Sequence, residues 1–349
     1  MISKMIDNIV LEINNLRGYY RGTFGTIYAI DNVSFKVKKG EILGIAGESG
    51  CGKSTLIELI TGLPRPLLHY EQGSIIVNGY NIYEIDKEIL RTKVLCKILG
   101  CVPQAALNSL NPVKKIKNLI YDVMRERTGR KPNKQEVSRF VISHFKTIGL
   151  DKSILSLYPH ELSGGMKQRT VIGIATLWNP NLLIVDEPTS ALDVTTQKLV
   201  INMLLDLKKK NVIETILYIS HDLPTLAQIC SRCIIMYAGE IVEDGRIEDI
   251  LRDPLHPYTK GLLSSIASFN PDGTAETELC CILGKPPDLR YPPPGCRFHP
   301  RCPNRMDLCR VNPPPYFFPK GKERPVKCWL YLDSFIKKII FLFTKKKIG

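Results

Sequence analysis

The sequence predicts an α/β fold with a buried core sheet, an antiparallel β subdomain before it and a helical subdomain inserted into it. A glycine-bounded apolar run at 40–47 and a second apolar run at 181–187 are typical of strands buried in a sheet. Apolar and polar residues alternate within 9–38, which indicates two strands around a turn. Between about 90 and 178 the apolar residues recur at helical spacing. The 349 residues, 44% of them hydrophobic, suffice for one large domain and an extension.

The remaining segments continue this α/β order and then change character. The run at 181–187 is followed by an amphipathic helix (TTQKLVINMLLDLKKK), a strand (ETILYIS) and a hairpin (CIIMYAGEIVEDG). Prolines gather after residue 250, and neither a helix nor a sheet accommodates such a density. We therefore divide the chain into a main domain at 1–250, a C-terminal extension at 251–332 and a tail at 333–349.

The chain is basic, with a formal net charge of +14. Scattered lysines indicate a solvated surface more often than a binding surface for nucleic acid or membrane. Apolar residues are interleaved with lysines between Phe335 and Lys347, which favours either the interface of an anionic membrane or packing against the protein itself or a partner subunit. The first residues lack the apolar core of a signal peptide, and no stretch approaches the roughly 18 apolar residues that span a bilayer. We expect a cytoplasmic protein that is not itself a pore.

A glycine-rich loop follows the first core strand and opens a helix. Residues 47–54 read GESGCGKS and fit the phosphate-binding pattern G-x-x-x-x-G-K-[ST]. The glycines let backbone N–H groups point at phosphate oxygens, and the helix N-terminus adds the positive end of its dipole. Lys53 suits the β and γ phosphates of a nucleotide, and the Ser54 hydroxyl suits Mg²⁺. The predicted ATP-binding residues of this segment are Gly47, Ser49, Gly50, Gly52, Lys53, Ser54 and Thr55.

Two carboxylates end the apolar run LLIV. A buried strand in this position carries Asp186 and Glu187 to the carboxyl edge of the sheet, beside the phosphate-binding loop. Asp186 suits the Mg²⁺ shell, and Glu187 suits the polarisation or positioning of an attacking water. His221 follows the strand ILYIS at an equivalent position, which favours a catalytic part for it. ATP and Mg²⁺ are the expected cofactors.

A third segment carries a resemblance to a known family. Residues 162–169 read LSGGMKQR and resemble the signature of the ABC ATPases, and they lie between the phosphate-binding loop and the two carboxylates. The resemblance implies the ABC cassette form of the P-loop NTPase fold, with a RecA-like core sheet. It also implies a sandwich of two cassettes, in which the signature of one subunit completes the ATP site of the other. The residues expected to face the partner's γ-phosphate are Ser163, Gly164 and Gly165.

The same resemblance assigns roles to four single residues. Gln104 ends the strand ILGCVP where the family has its Q-loop, so it is expected to contact Mg²⁺ and the γ-phosphate and to act in catalysis. Asp193 matches the D-loop and His221 matches the switch histidine. Tyr20 is the best match to the aromatic residue that stacks on adenine, with Tyr19 as its rival. All of these stand in family order within 9–245.

Three short segments resemble the dipeptide and oligopeptide importers of this family. They are Leu107–Pro112 after the Q-loop, Tyr158–Glu161 before the signature and Asp253–Thr259 beyond the cassette. The resemblance implies an ATP-hydrolysing subunit that energises peptide import as a peripheral protein at the cytoplasmic face of the cell membrane. The implied partners are a second, paralogous ATPase, two transmembrane permease subunits and, indirectly, an extracytoplasmic solute-binding protein.

Other functions stay open at this point or are disfavoured. Members of the same group also handle nickel or oligosaccharides, and the ATPase does not touch the solute. A non-transport ABC ATPase on ribosomes or DNA is disfavoured by the single cassette and the importer-like C-terminus, so no nucleic-acid partner is expected. An exporter is disfavoured because exporter cassettes are often fused to membrane spans, and none is present here.

Six of the eleven cysteines lie in the proline-rich extension, and four of these six form a motif. Cys296, Cys302, Cys309 and Cys328 resemble the C-terminal cysteine motif of peptide-importer ATPases, which in family members can hold an iron–sulfur cluster. A segment with few apolar residues needs a reason to be ordered, and a metal centre supplies one. The spacings C-x5-C and C-x6-C are too long for a zinc knuckle of the C-x2-C type. A [4Fe–4S] cluster is the first choice, zinc the second and free thiols the third; the other seven cysteines suit small apolar fillers.

Overall fold

The computed structural model describes residues 8–23, 25–104, 106, 109–190, 192–265 and 282–332. The tail at 333–349 and the adjacent pair Cys280 and Cys281 lie outside the described residues. So do the first two residues of the importer-like segment Leu107–Pro112.

The first sheet is antiparallel, and its strand order is β2-β1-β4-β5. Its strands are β1 (Ile9–Gly22), β2 (Gly25–Lys38), β4 (Leu68–Val77) and β5 (Tyr80–Asn81). The predicted alternation is present in the second half of β2, where Val33, Phe35 and Val37 are buried while Ser34 and Lys36 between them are exposed. One face of this sheet therefore packs on the core and the other meets solvent.

The second sheet forms the centre of the molecule, with strand order β10-β9-β3-β8-β7-β6. Its strands are β3 (Ile42–Ala46), β6 (Leu99–Val102), β7 (Leu182–Asp186), β8 (Thr215–Ile219), β9 (Arg232–Tyr237) and β10 (Glu240–Arg246). All pairings are parallel except that of β9 with β10, which is the predicted hairpin. Every residue of β3, β7 and β8 is buried. Because both faces of these strands are covered, all of their side chains are buried, and their sequences are continuous apolar runs.

Ten α-helices connect and cover the two sheets in the part of the chain that the structure describes. They are α1 (Lys53–Thr61), α2 (Lys87–Ile89), α3 (Ile116–Thr128), α4 (Lys134–Thr147), α5 (Gly164–Ala175), α6 (Val194–Lys209), α7 (Leu223–Ile229), α8 (Ile247–Arg252), α9 (Pro257–Ser264) and α10 (Asp307–Val311). A π-helical turn at Leu90–Val94 and short 3₁₀ turns complete the regular structure. None of the helices described combines the length and hydropathy required to cross a membrane.

The two faces of the central sheet pack against different layers. Leu43 and Ile45 of β3 share one buried cluster with the antiparallel sheet and α1. Ile42 and Ala46 of the same strand belong to a second cluster, formed with α5, α6, α7 and α9. Successive side chains of a strand point to opposite faces, so each core strand contributes to both clusters. The result is a three-layer arrangement with the central sheet in the middle.

The helical subdomain lies between β6 and β7. Its helices α3, α4 and α5 occupy residues 116–175. The buried Val141 and Phe145 of α4 belong to the same cluster as Ile42 and Ala46 of β3. The predicted helical subdomain spans about 90–178, and this span includes the strand β6, which pairs with β7 and so belongs to the central sheet. The boundaries of the domains stay a prediction.

The proline-rich part of the chain is fastened to β10 through a buried carboxylate. Glu243 is completely buried and accepts hydrogen bonds from the backbone N–H groups of Leu255 and His256, both 2.9 Å long. The guanidinium of Arg324 lies 3.2 Å from the same carboxylate. Val326 also forms backbone bridges to Glu243 and to Phe317. A buried charge needs this kind of full pairing, so these contacts hold residues from both ends of the extension on the sheet.

Helix α6 offers a test of this packing. Leu204 is completely buried in the cluster that α5, α6, α7 and α9 form with the central sheet, whereas Leu199 on the same helix is 48% exposed. We expect Leu204→Ala to lower the free energy of unfolding by about 2–5 kcal/mol, because it removes a buried side chain and leaves a cavity. Urea denaturation would measure the change. The matched variant Leu199→Ala should stay within about 0.5 kcal/mol of the original protein, and equal losses in the two variants would contradict the packing described here.

Candidate active site

The phosphate-binding loop connects β3 to α1, and its backbone is packed tightly on the sheet. A Cβ atom added at Gly47 would lie 2.3 Å from the carbonyl oxygen of Met236, and one at Gly52 would lie 2.4 Å from that of Ala29. Both glycines also have positive φ angles, 154° and 107°. Any side chain at either position would displace the loop from β9 or β2. The glycines are thus required by close approach as well as by backbone conformation.

Lys53 lies inside this loop rather than in solvent. Its side chain is buried, and its Nζ donates hydrogen bonds to the carbonyl oxygens of Gly47 (2.7 Å) and Glu48 (2.9 Å). It is also the first residue of α1, whose N-terminal N–H groups point into the same loop. A buried ammonium at a helix N-terminus is suited to the phosphate groups of a nucleotide, which would receive these donors.

The residues at the expected Mg²⁺ position also meet. The Ser54 hydroxyl forms a hydrogen bond with the Asp186 carboxylate, which is 4% exposed. Burial raises the pKa of Asp186 to about 6, and the neighbouring Glu187 charge acts in the same direction. Its Oδ1 atom has no hydrogen-bond partner among the described residues. An unpaired, buried carboxylate oxygen beside a hydroxyl matches the oxygen ligands that Mg²⁺ prefers, and the cation would offset the cost of burying the charge.

Glu187 is held in an unusual backbone conformation at the end of β7. Its φ angle is +45°, which is uncommon for a residue other than glycine. Its N–H donates to Ile219 (2.9 Å), and its carbonyl accepts from the N–H and hydroxyl of Ser190 (3.2 and 2.9 Å). The surrounding structure therefore fixes this carboxylate in a strained position, as is frequent at functional sites.

The Glu187 carboxylate is the meeting point of three strand ends. Its Oε2 accepts a hydrogen bond from Gln104 (3.4 Å), and its Oε1 lies 3.2 Å from His221 Nδ1. Gln104 follows β6, Glu187 follows β7 and His221 follows β8. These residues were predicted separately from the sequence, and the structure brings them together. A carboxylate between an amide and an imidazole can accept a proton from water while its neighbours hold its orientation.

The signature residues form a second group. Ser163 is the N-cap of α5 and accepts a hydrogen bond from Met166 N (3.3 Å), so the first turn of α5 contains Gly164 and Gly165. Asp193 is the N-cap of α6 and accepts from the N–H (2.9 Å) and hydroxyl (2.6 Å) of Thr196. Among the described residues, no hydrogen bond or ion pair joins this group to the phosphate-binding loop or to Glu187.

The two tyrosines considered for adenine stacking lie on opposite faces of β1. Tyr20 turns toward the nucleotide end of the fold, where its hydroxyl lies 3.3 Å from the Thr55 hydroxyl on α1. Tyr19 stacks on His69, with ring centroids 5.3 Å apart, and lies near Tyr28. Contact with α1 favours Tyr20, and the assignment stays a prediction.

Sequence reasoning missed two contacts that Glu48 of the phosphate-binding loop makes with Arg301 and Tyr258. Glu48 occupies a position that the loop pattern leaves unspecified, and its carboxylate pairs with Arg301 of the extension at 2.6 Å. Its N–H donates to the hydroxyl of Tyr258, 210 residues further along the chain (2.8 Å). The only sequence signal was the importer-like segment that contains Tyr258, and it carried no information about this contact.

Cys296, Cys302, Cys309 and Cys328 of the extension are grouped, although not as a formed metal site. Cys296 donates its N–H to the carbonyl of Cys309 (2.8 Å), and burial raises the pKa of the Cys296 thiol to about 12. Within the described residues, no three side chains of His, Cys, Asp or Glu are arranged to hold a metal ion. The predicted iron–sulfur cluster, and zinc as its alternative, are therefore not shown by this arrangement and stay predictions.

Comparison with known proteins agrees with this site. Residues 30–190 match the ABC transporter family, and residues 242–309 match the C-terminal region of oligopeptide/dipeptide transporters. The chain is 38% identical to the dipeptide transport ATP-binding protein DppD of Caldanaerobacter subterraneus subsp. tengcongensis, over 94% of this chain and 98% of that protein. It is 39% identical to the oligopeptide transport ATP-binding protein AppD of Bacillus subtilis strain 168, over 93% and 98% respectively.

Solved structures show the same cassette. A dimeric ATP-binding cassette in a post-hydrolysis state with ADP and Pi superposes with a TM-score of 0.59 at 25% identity, covering 68% of this chain and 98% of that one. The fold and the site together define an ABC-type ATPase subunit, with ATP and Mg²⁺ as its cofactors. The chain belongs to the family of dipeptide and oligopeptide transport ATP-binding proteins, which confirms the family predicted from its signature and C-terminal segments.

Glu187→Gln should separate nucleotide binding from turnover. The amide keeps the shape of the side chain and the contacts of the loop, but it cannot accept a proton from water. We expect ATP hydrolysis to fall by about 10²-fold or more, the usual scale of general-base catalysis, while ATP affinity stays within about threefold. Phosphate release and nucleotide titration would measure the two effects. Glu88→Gln, at an exposed position on α2, is the control; similar turnover in both variants would remove Glu187 from the reaction.

Proposed function

We propose that this chain hydrolyses ATP to drive the import of dipeptides or oligopeptides through an ABC transporter. The observation that carries this proposal is the combination of a nucleotide site at one sheet edge with an extension that matches oligopeptide/dipeptide transporters. Both curated relatives described above carry peptide transport in their names, over nearly the whole length of this chain.

In the proposed mechanism the phosphate-binding loop holds the triphosphate. Lys53 and the N–H groups at the start of α1 neutralise the β and γ phosphates. Ser54, Asp186 and Gln104 are the residues that would hold Mg²⁺, which shields phosphate charge when it is bound. The unpaired Oδ1 of Asp186 supports this assignment.

Glu187 then acts on the attacking water. Its carboxylate accepts a proton as the water approaches the γ-phosphate, while Gln104 and His221 hold the carboxylate from both sides. The φ angle of +45° at Glu187 fixes the direction in which its side chain leaves the end of β7. Because Asp186 is more buried than Glu187 and its pKa is raised by that burial, the two adjacent carboxylates suit different tasks.

The signature group is proposed to serve a partner ATPase. The first turn of α5 presents N–H groups at Ser163–Gly165, apart from the loop that holds the nucleotide in the same chain. A second subunit facing this turn would supply the phosphate-binding loop, and the reverse contact would complete the other site. The partner is proposed to be a paralogous ATPase of the same family.

Coupling to the membrane is proposed to pass through Gln104 and the groove beside it. A cavity of about 590 Å³ lies between α1, β6 and the helical subdomain, and its lining includes Gln104 as well as Leu110, Leu119 and Ile174. This apolar groove contains Gln104, which is expected to contact the γ-phosphate, and it therefore suits the docking of a segment from a permease subunit. We propose two such permease subunits, a location at the cytoplasmic face of the membrane and an extracytoplasmic solute-binding protein as an indirect partner.

Peptide uptake tests this proposal directly. In cells of the source organism, replacing Glu187 by Gln in the chromosomal gene should abolish uptake of a labelled dipeptide, because the transporter can no longer complete its ATP cycle. The Glu88→Gln strain is the control for expression and assembly. Normal dipeptide uptake with the Glu187→Gln protein present at its usual level would contradict a dipeptide substrate, and labelled oligopeptide, nickel and oligosaccharide would then be tested in the same strain.

We also propose that the cysteine group holds a [4Fe–4S] cluster. Three of its thiols accept backbone N–H groups two residues further on, namely Cys296 from Phe298, Cys302 from Asn304 and Cys328 from Leu330. Hydrogen bonds of this kind stabilise metal-bound sulfur. The other three thiols help to raise the pKa of Cys296, and Cys302 and Cys309 help to raise that of Cys328, so the four side chains lie within electrostatic range of one another. This support comes from residue type and grouping, and no catalytic step depends on the cluster.

Metal content tests the cluster. Protein purified without oxygen should contain iron and acid-labile sulfide in equal amounts, about four of each per chain for this cluster type. Cys302→Ser should lose both, because it removes a ligand. Cys233→Ser, at a buried cysteine of β9 outside the group, should keep them. Colourless protein with stoichiometric zinc would contradict the cluster, and metal-free protein would contradict any metal centre.

A further inference from the structure

The phosphate-binding loop has an outer side that faces the C-terminal extension. On this side the Glu48 carboxylate receives two hydrogen bonds from Arg301, Nη1 to Oε2 at 2.6 Å and Nη2 to Oε1 at 3.0 Å. The Glu48 N–H is also occupied, since it donates to the Tyr258 hydroxyl at 2.8 Å. Paired, charge-assisted bonds of this geometry are the strongest type that a protein forms between side chains. The extension thus contacts the loop through both the side chain and the backbone of one residue.

Arg301 is itself held in place from behind. Its side chain is 6% exposed, and its Nε donates to the carbonyl of Leu283 at 3.1 Å. Its guanidinium lies 5.9 Å from the ring of Tyr237, which packs against Tyr258 and Phe298 with centroid distances of 4.5 and 5.1 Å. This aromatic group belongs to the buried cluster of the central sheet. The arginine therefore has one preferred position, and that position is aimed at Glu48.

Glu48 connects Arg301 to Lys53, the lysine of the phosphate-binding loop. The carbonyl of Glu48 accepts a hydrogen bond from Lys53 Nζ at 2.9 Å, while its carboxylate pairs with Arg301. An unpaired carboxylate at this position would leave a negative charge on the loop that is proposed to hold the triphosphate. At short range and in partly buried surroundings, repulsion between such charges is much stronger than in water. Arg301 removes this repulsion and at the same time fixes the loop.

We propose that Arg301 is a positioning residue for nucleotide binding. It neutralises Glu48 and holds the loop in the shape that accepts the triphosphate, so that the extension contributes to ATP affinity. This role is separate from the identity of the transported solute. It gives the residues of the extension a part in the ATP cycle in addition to any metal that they hold.

The test is a titration of the full-length chain with MgATP. Arg301→Ala should weaken ATP binding by about tenfold, the scale of a lost charge-assisted pair, and should raise KM while kcat changes by less than about twofold. Removing the uncompensated charge should reverse the loss, so the double variant Arg301→Ala with Glu48→Gln should return to within about threefold of the original affinity. Arg301→Lys keeps the charge but lacks the two-pronged geometry, and it should lie between these limits.

Two comparisons separate this role from simple anchoring of the extension. Arg290→Ala breaks the exposed pair with Asp288 in the same extension and should leave ATP affinity unchanged. If Arg301 only anchored the extension, Arg301→Ala would lower the melting temperature without changing ATP affinity, and that outcome would overturn the proposal. An equal loss of affinity in the single and double variants would also overturn it. Should Arg301→Ala fail to fold, Arg301→Lys must still bind ATP more weakly than the original protein, and unchanged binding there would reject the proposal.

Discussion

The parallel pairing of the central strands is the constraint on which the rest of this protein depends. Backbone hydrogen bonds hold β6, β7, β8 and β3 side by side, and their carboxyl ends therefore reach one edge. The polar residues after those ends come from points far apart in the sequence. At the edge they are within hydrogen-bond range, as the contacts from Glu187 to Gln104 and to His221 show. Ligands of open α/β sheets bind at this edge for the same geometric reason.

Burial changes the chemistry of the groups collected there. Asp186 is almost fully covered and has a raised pKa, which a bound cation would compensate. Glu187, one residue later, turns out of the strand with a positive φ angle and remains next to an exposed histidine. Two neighbouring carboxylates thereby have different surroundings. Differences of this type let one sheet edge both hold a cation and activate water.

The extension is joined to the cassette through buried charges and through buried aromatic side chains, since Tyr258 and Phe298 belong to the core cluster of the central sheet. Glu243 is fully enclosed and is satisfied by Arg324 and two backbone N–H groups, which leaves the extension one low-energy place on β10. At the other contact, Arg301 meets Glu48 in the phosphate-binding loop. A segment rich in proline has few backbone hydrogen bonds to offer, so side-chain ion pairs help to determine where it lies. These two contacts help to hold it beside the nucleotide loop.

The sequence by itself determined the order of the elements and the residues that could bind a nucleotide. Apolar period, glycine spacing and the carboxylates after β7 are local properties, and a local pattern is sufficient to predict a strand, a phosphate-binding loop or a cation ligand. Only the tertiary structure decided which side chains meet. Glu48 stands at an unspecified position of its pattern, and its partner Arg301 lies 253 residues away, so no spacing rule connects them. The packing of the extension on the central sheet brings the two charges together, because contacts between distant segments arise from three-dimensional packing and not from sequence neighbours.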